Sequence, residues 1–169
     1  MRVLLLWAVA LLLAGCATVG ALPQRPAVGD ITQFAFVGRL AVRQGENRHH
    51  VNVDWRHDAR SDEILLTTPL GQGVAELVRD AGGARLTLAD RRSYTAADWG
   101  ALSQQVFGFP LPLGASPRWL LGELGATEGW RVTVVAREAE RADGLPTVIE
   151  LERDDIALRL KIDEWIEAK

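Results

Sequence analysis

Hydrophobic side chains recur at every second position over several long stretches of this chain, and this alternation most limits what it can fold into. In residues 34–43, one set of alternate positions consists of Phe34, Phe36, Gly38, Leu40 and Val42. Successive side chains of a strand point to opposite faces, so the pattern predicts a long first strand. The same alternation predicts a second strand at about residues 50–56, where Val53 and Trp55 share a face.

Six further segments have the composition and spacing of strands. They are residues 63–68, 74–80, 84–89, 130–136, 147–153 and 156–165. Gly82 and Gly83 join two of these segments, and glycine permits the positive φ of a tight hairpin. We therefore predict that the first five strands form an antiparallel meander and that three more strands close the chain.

Helical spacing interrupts the strands between residues 95 and 122. Thr95 and Asp98 form a predicted capping box with the threonine as N-cap, and Trp99 begins a run at helical spacing. Ser116 and Pro117 suit the N-cap and first position of a second, shorter helix. The predicted fold class is therefore mainly β with short helices.

The N-terminus has the features of a bacterial lipoprotein leader. Arg2 precedes an apolar run that ends in Leu13-Ala14-Gly15-Cys16, and Cys16 is the only cysteine. The run is too short for a membrane-spanning helix, which needs roughly 20 residues. We interpret residues 1–15 as a signal peptide and Cys16 as a lipid anchor with N-palmitoyl and S-diacylglycerol groups. Cleavage by the ordinary secretory peptidase, with Cys16 incidental, is the alternative.

The composition predicts a single domain behind this leader. Residues 16–30 contain scattered proline and glycine and are interpreted as a flexible tether, and residues 31–169 suffice for one domain. The chain has 19 basic and 22 acidic residues, a net charge of −3. This balance argues against nucleic acid or an anionic bilayer as an electrostatic partner. We expect a monomer.

Sequence motifs for catalysis or cofactor binding are missing. The chain has no Gly-Xaa-Ser-Xaa-Gly elbow, phosphate-binding loop or dinucleotide fingerprint. His49 and His50 point to opposite faces of a strand, so they do not form a metal site together with His57 and Asp54. We therefore predict a protein that is not an enzyme and has no catalytic residue, metal or cofactor.

The segment Pro69-Leu70-Gly71 places a large aliphatic side chain in a predicted turn. Proline and glycine mark a break between strands, where Leu70 has no core to join. An exposed apolar tip indicates an apolar partner. The alternative is that Leu70 folds back over the edge of the sheet, since isolated exposed leucines are common.

A sheet of this size curls, and short helices across its mouth leave space for a ligand. Trp55, Trp99 and Trp119 are candidates for the lining of such a cavity. Each is equally interpretable as an ordinary core tryptophan. The same alternative holds for the strand leucines, because apolar faces usually pack into a core.

Several short motifs, in their order, resemble the LolB family of outer-membrane lipoprotein receptors. They are Phe-Val-Gly-Arg-Leu-Ala-Val at 36–42, Val-Asp-Trp at 53–55, Thr-Pro-Leu-Gly at 68–71, Trp-Leu-Leu-Gly at 119–122, Asp-Gly-Leu-Pro at 143–146 and the final segment at 158–165. The resemblance spans about residues 34–165. It implies an incompletely closed antiparallel β-barrel with an α-helical lid over an apolar cavity.

The resemblance also implies a function. Such a protein is lipid-anchored in the outer membrane and faces the periplasm, where it accepts acylated lipoproteins from a LolA-like carrier and inserts them into the inner leaflet. Pro69, Leu70 and Gly71 match the family's membrane-insertion loop. The residues that we expect to line the acyl-chain cavity are Phe36, Leu40, Val53, Trp55, Leu66, Leu77, Leu88, Trp99 and Trp119.

The chain differs from members of this family at one connection. Only residues 123–128 separate the Trp-Leu-Leu-Gly helix from the strand that begins Gly-Trp, where family members have a longer connection with its own strand. A missing strand and a smaller or more open cavity are the expectation. Two other functions stay open: a structural or assembly lipoprotein with a dry core, and a small-ligand carrier similar to lipocalins, which needs a closed barrel.

Overall fold

The computed structural model describes residues 27–109, 111–123, 129–140 and 144–169. The leader, Cys16, most of the tether and residues 124–128 of the short connection lie outside the described residues. The strands are β1 (Phe34–Gln44), β2 (Asn47–His57), β3 (Asp62–Thr67), β4 (Gly73–Asp80), β5 (Gly83–Leu88), β6 (Ser93–Ala96), β7 (Arg131–Arg137), β8 (Pro146–Arg153) and β9 (Ile156–Ala168). The helices are α1 (Trp99–Phe107) and α2 (Ser116–Leu120). Neither helix has the length and apolar character needed to cross a membrane.

All nine strands belong to one antiparallel sheet with the order β6-β5-β4-β3-β2-β1-β9-β8-β7. The first five strands pair in sequence, which confirms the predicted meander. In the described part of the chain, the two outer strands β6 and β7 do not pair with each other. The sheet is therefore an incompletely closed barrel, as the resemblance implied.

The start of helix α1 differs from the prediction. Thr95 is not the N-cap, because it lies in β6, a strand that the sequence did not predict and that pairs with β5. The N-cap is Asp98, whose carboxylate accepts a hydrogen bond of 2.8 Å from the Ala101 N–H. The predicted capping box was therefore wrong, because the N-cap lies three residues after Thr95. Ser116 is likewise the first residue of α2, and Ala115 is its N-cap.

The apolar face of the sheet and the two helices enclose one hydrophobic cluster. Phe36 and Val53 contribute from the sheet, Trp99 and Leu102 from α1, and Leu120 from the end of α2. The predicted assignment of alternate strand residues to a buried face is thereby confirmed. Ile31 joins the core, and Val28, in the short 3-10 turn Val28–Asp30, packs against it just before the predicted start of the domain.

The strand register defines two ends of the sheet. His57 pairs with Asp62 at the turn between β2 and β3, and this is called the Asp62 end. The loop between β3 and β4, which carries Leu70, lies at the opposite end together with the β1–β2 and β8–β9 turns. This opposite end is called the Leu70 end.

Gly38 lets strands β1 and β9 approach closely where their register shifts. A Cβ atom at this position would lie 2.5 Å from the Lys161 carbonyl oxygen and 3.1 Å from the Ile162 Cα. Both are backbone atoms, which move only if the strands separate. Glycine is therefore required here by the packing of two central strands.

We expect Gly38→Ala to lower the free energy of unfolding by about 1–3 kcal/mol, because the added methyl group forces the backbones apart. Equilibrium urea unfolding measures the change. The matched control is Gly73→Ala, since a Cβ there meets no atom within 4 Å. That control should leave stability unchanged or slightly raised. Equal effects of the two substitutions would contradict the role given to Gly38.

Candidate functional site

A buried carboxylate joins three strands and a helix at the Asp62 end. Asp62 is 1% exposed. One oxygen accepts hydrogen bonds from Trp55 Nε1 at 3.1 Å and His57 Nδ1 at 2.6 Å, and the other accepts from Arg79 Nε at 2.6 Å and Trp99 Nε1 at 3.4 Å. The four donors come from β2, β4 and α1, so Asp62 fixes the start of the helix over the sheet.

Asp62 stays charged because its donors outweigh its burial. Burial raises the pKa of a carboxyl group, but the hydrogen bonds from His57, Arg79 and Trp55 together hold the pKa of Asp62 below its ordinary value. This carboxylate also satisfies the hydrogen-bonding needs of the two buried indoles and of the half-buried Arg79 guanidinium. The network is therefore structural and has no free valence for a ligand.

Aromatic rings fill the core around this network. The ring centroid of Phe34 lies 4.8 Å from that of His57 and 5.7 Å from that of Trp165. The centroid of Phe36 lies 6.0 Å from that of Trp55 and 5.4 Å from that of Trp165. These are ordinary distances for favourable aromatic pairs. The Asp62 end of the sheet is therefore closed by packed side chains.

The apolar face is less densely covered toward the Leu70 end. Leu40, Leu66 and Leu88 are only half-buried there, although all three pack against the hydrophobic cluster. Val51 and Val74 are half-buried neighbours in the same region. The apolar face of the sheet is therefore partly accessible at the end that carries Leu70.

Leu70 projects from a turn that is hydrogen-bonded at its base. Leu70 is 89% exposed, more than any other large hydrophobic residue in the described part of the chain. The Gly71 N–H donates to the Thr68 carbonyl at 2.8 Å, and Gly71 has a φ of +82°. Asn52 Nδ2 also donates to the Thr68 carbonyl, at 3.1 Å, and so ties the turn to β2. The alternative in which Leu70 folds back over the sheet does not occur.

The structure brings eight of the nine cavity candidates into one cluster. Phe36, Val53, Trp55, Leu77 and Trp99 are buried members of the cluster, and Leu40, Leu66 and Leu88 pack against it. Trp119 is also buried, at 3% exposure, but among the described residues it does not belong to this cluster. Pro69 and Gly71 flank Leu70 and are exposed.

The histidines lie apart, as their strand positions predict. His49 and His50 are exposed near the β1–β2 turn, whereas His57 contacts Asp62 at the other end. Within the described ranges, no group of three or more metal-ligating side chains is assembled.

Sequence reasoning missed the Asp62 network. Its only signal is an acidic residue at the first position of an apolar strand, beside a histidine at the end of the preceding one. Such a pattern is common at solvated turns, so it does not by itself predict a buried carboxylate. The partner Arg79 lies 17 residues away, and only the strand register brings it to Asp62.

The geometry defines a half-open β-barrel with a helical cover, one closed end, and an exposed leucine at the rim of the other end. Comparison with known sequences identifies the group within this class. The family model described as "Outer membrane lipoprotein LolB" matches residues 32–165. The chain therefore belongs to the LolB family of outer-membrane lipoproteins, which confirms the resemblance of the motifs.

Individual relatives match over most of their length. The "Outer-membrane lipoprotein LolB" of Chromobacterium violaceum is 34% identical, with 97% of this chain and 98% of that protein aligned. The protein of the same description from Azoarcus sp. is 33% identical over 91% of this chain and 89% of the relative. The one from Nitrosomonas europaea is 34% identical over 78% and 72%.

We expect Asp62→Asn to lower the free energy of unfolding at pH 7 by about 3–5 kcal/mol, because it removes the charge that buried donors require. The native pKa of Asp62 lies below the ordinary one. Its contribution is therefore complete above the ordinary carboxyl pKa and is lost as the pH falls through the native pKa. The variant should lose less stability than the native protein between pH 6 and pH 3, as measured by thermal unfolding.

Asp163→Asn is the matched control. Asp163 accepts two hydrogen bonds from Arg39 at 2.7 and 2.9 Å, but this pair is exposed on the outer face of the sheet. Its loss should cost less than about 1 kcal/mol. If Asp163→Asn proves as destabilising as Asp62→Asn, the central role of Asp62 is refuted.

Proposed function

We propose that this protein accepts acylated lipoproteins from a periplasmic, LolA-like carrier and inserts them into the inner leaflet of the outer membrane. The observation that carries the proposal is Leu70, which is 89% exposed beside the half-buried leucines of the open end. An exposed leucine on a braced turn needs an apolar partner, and family membership supplies the context. The protein acts as a receptor and not as an enzyme.

The cargo's acyl chains enter at the Leu70 end and lie along the apolar face. Leu40, Leu66 and Leu88 form the accessible part of this path. Phe36 and Trp55 form its floor, beyond which the Asp62 network blocks further passage. Helices α1 and α2 move away from the sheet to admit the chains, because their apolar residues cover the same face.

Transfer needs no energy source if affinities rise along the route. Exposing one methylene group to water costs about 0.8 kcal/mol, so a triacylated cargo with on the order of 45 methylenes would face tens of kcal/mol. The chains therefore pass directly between apolar sites. The receptor holds them more tightly than the carrier does and less tightly than the bilayer.

Leu70 acts at delivery. Burying one leucine contributes about 1.5–3 kcal/mol, which is enough to touch the acyl boundary but too little to anchor a protein. The anchor is the lipid on Cys16, with residues 16–30 as the tether. A monomer suffices for this sequence of events, since one chain carries both the apolar path and the loop.

We expect Leu70→Glu to accept cargo from the carrier but to deliver it poorly, because a charged side chain does not enter the acyl boundary. The measurement follows a labelled triacylated lipoprotein from loaded carrier to the receptor and then to outer-membrane vesicles. Delivery should fall by tenfold or more while acceptance stays within about twofold, which corresponds to less than about 0.5 kcal/mol.

Leu65→Glu is the control for this experiment. Leu65 is 45% exposed and lies on β3, five residues before Leu70. The same chemical change there should leave delivery unaffected. If the folded native protein takes no cargo at all, the proposed function fails and a structural lipoprotein with a dry core becomes the better interpretation.

We expect a photo-crosslinking phenylalanine derivative at position 88 to capture the cargo's acyl chains, because Leu88 is half-buried on the proposed path. The same derivative at position 65, on the outer face, should capture none. Mass spectrometry of the crosslinked receptor identifies the adduct. Crosslinking at both positions, or only at position 65, would place the chains outside the barrel.

A further inference from the structure

The tip of the first hairpin carries an unusual concentration of basic side chains. The basic tip, defined as residues 43–50, has the sequence Arg-Gln-Gly-Glu-Asn-Arg-His-His, and every one of its residues is exposed. It contains two arginines and two histidines against one carboxylate, Glu46. Since no part of the tip is buried, core packing does not account for this composition.

The two arginines are direct neighbours. Arg43 pairs with Arg48 across β1 and β2, so both side chains project from the same face of the sheet. Like charges directly opposite each other destabilise a strand pair. In the described part of the chain, neither guanidinium has a carboxylate within ion-pair distance. The pair therefore lowers the stability of the hairpin without compensation from within the fold.

The basic pair borders a groove of about 370 Å³ on the outer face. Small side chains, Ala41 and Ala157, lie beneath it, and His50 adds a third basic side chain to the lining. The two carboxylates in the lining are already neutralised, because Glu150 is paired with Arg159 and Glu152 with Arg131. The groove therefore presents unpaired positive charge to an anion.

The basic tip and Leu70 reach outward to a similar height. Asn52 pairs with Thr67 and marks a common level in β2 and β3. Arg48 lies four residues beyond Asn52, or about 14 Å at the rise of a strand. Leu70 lies three residues beyond Thr67, or at most about 10 Å. A surface that approaches the Leu70 end meets both features together.

We propose that the basic tip docks this end of the molecule on anionic phospholipid headgroups. Arg43, Arg48 and His50 bind lipid phosphate while Leu70 enters the acyl boundary. Guanidinium groups suit this role because they donate paired hydrogen bonds to phosphate oxygens. The proposal rests on the proposed function, since it names the partner of the membrane-facing end.

The negative charge of the whole chain does not oppose such docking. Charges are screened over about 8–10 Å at physiological salt, so a membrane surface responds to the residues nearest to it. At this end Asp90 is paired with Arg92 at 2.7 Å and Asp154 with Arg153 at 3.7 Å, whereas Glu46 and Asp155 have no ion-pair partner among the described residues. In the described part of this end, the unpaired arginines Arg43, Arg48 and Arg91 therefore still outnumber the unpaired carboxylates.

The test uses the full chain as cells process it, reconstituted in vesicles of phosphatidylcholine alone or with one quarter phosphatidylglycerol. Hydrogen exchange of residues 43–50 reports contact of the tip with the bilayer, and transfer of labelled cargo reports delivery. The variant is Arg43→Gln/Arg48→Gln. The matched control is Arg60→Gln/Arg85→Gln, because both of these arginines are exposed and lie away from the Leu70 end.

We expect phosphatidylglycerol to slow exchange at the tip of the native protein and of the control but not of the variant. Delivery into these vesicles should fall by roughly 25-fold in the variant, since each of the two arginines near an anionic surface contributes roughly fivefold in binding. Delivery into phosphatidylcholine should be unchanged. The variant should also be no less stable than the native protein, because a like-charge pair is removed.

Two outcomes would overturn the proposal. One is equal tip protection in the variant and the native protein. The other is an equal loss of transfer from the carrier in both vesicle types, which would assign the arginines to a protein partner. A failure of Leu70→Glu to affect delivery would instead refute the proposed function, and tip protection by anionic lipid would still be measured independently.

Discussion

The difference between the two ends of this barrel depends on the hydrogen bonds to the buried carboxylate of Asp62. It gathers donors from β2, β4 and α1 at one end of the sheet, and a buried charge is tolerated only when such partners are in place. The strands are thereby held together at the Asp62 end. At the opposite end no equivalent network is found among the described residues.

Helix α1 shows the same difference between the two ends as it crosses the apolar face. It begins at Trp99, whose indole donates to Asp62, and ends at Phe107, which is 48% exposed. Phe109 follows and lies with its ring centroid 6.5 Å from that of Trp130, at the start of β7 and thus at the Leu70 end. The helix is therefore fastened at the closed end and only loosely covered at the open one. This asymmetry is what the proposed entry of acyl chains at the Leu70 end requires.

Most of the sheet was predictable from alternation, because a buried face repeats strictly with period two. Strand β6 was not, since Ser93–Ala96 is short and only Tyr94 and Ala96 pack against the hydrophobic cluster. It forms by pairing with the edge of β5. Thr95 and Asp98 then have the spacing of a capping box, although only Asp98 caps the helix. Local motifs of this kind are ambiguous until pairing with a distant strand decides between them.

The functional residues likewise fall into those that a local sequence pattern predicts and those that depend on long-range pairing. Leu70 was predictable because proline and glycine beside it exclude a strand, and its exposure follows from the turn alone. The Asp62 network and the opposed pair Arg43 and Arg48 depend on register, which no local pattern specifies. Register aligns residues that are far apart in sequence, so these charges become informative only in the folded chain.

Under the proposed function, the stiffness of the Leu70 turn is what makes a single leucine effective. Ordering one backbone residue costs about 1–2 kcal/mol, whereas burying one leucine contributes about 1.5–3 kcal/mol. A disordered loop would therefore consume the whole gain when it met a membrane. Here Thr68, Gly71 and Asn52 order the turn during folding. Under the proposed function, the free energy of burying this leucine is then fully available at contact with the membrane, yet it is small enough for the receptor to withdraw once the cargo has passed.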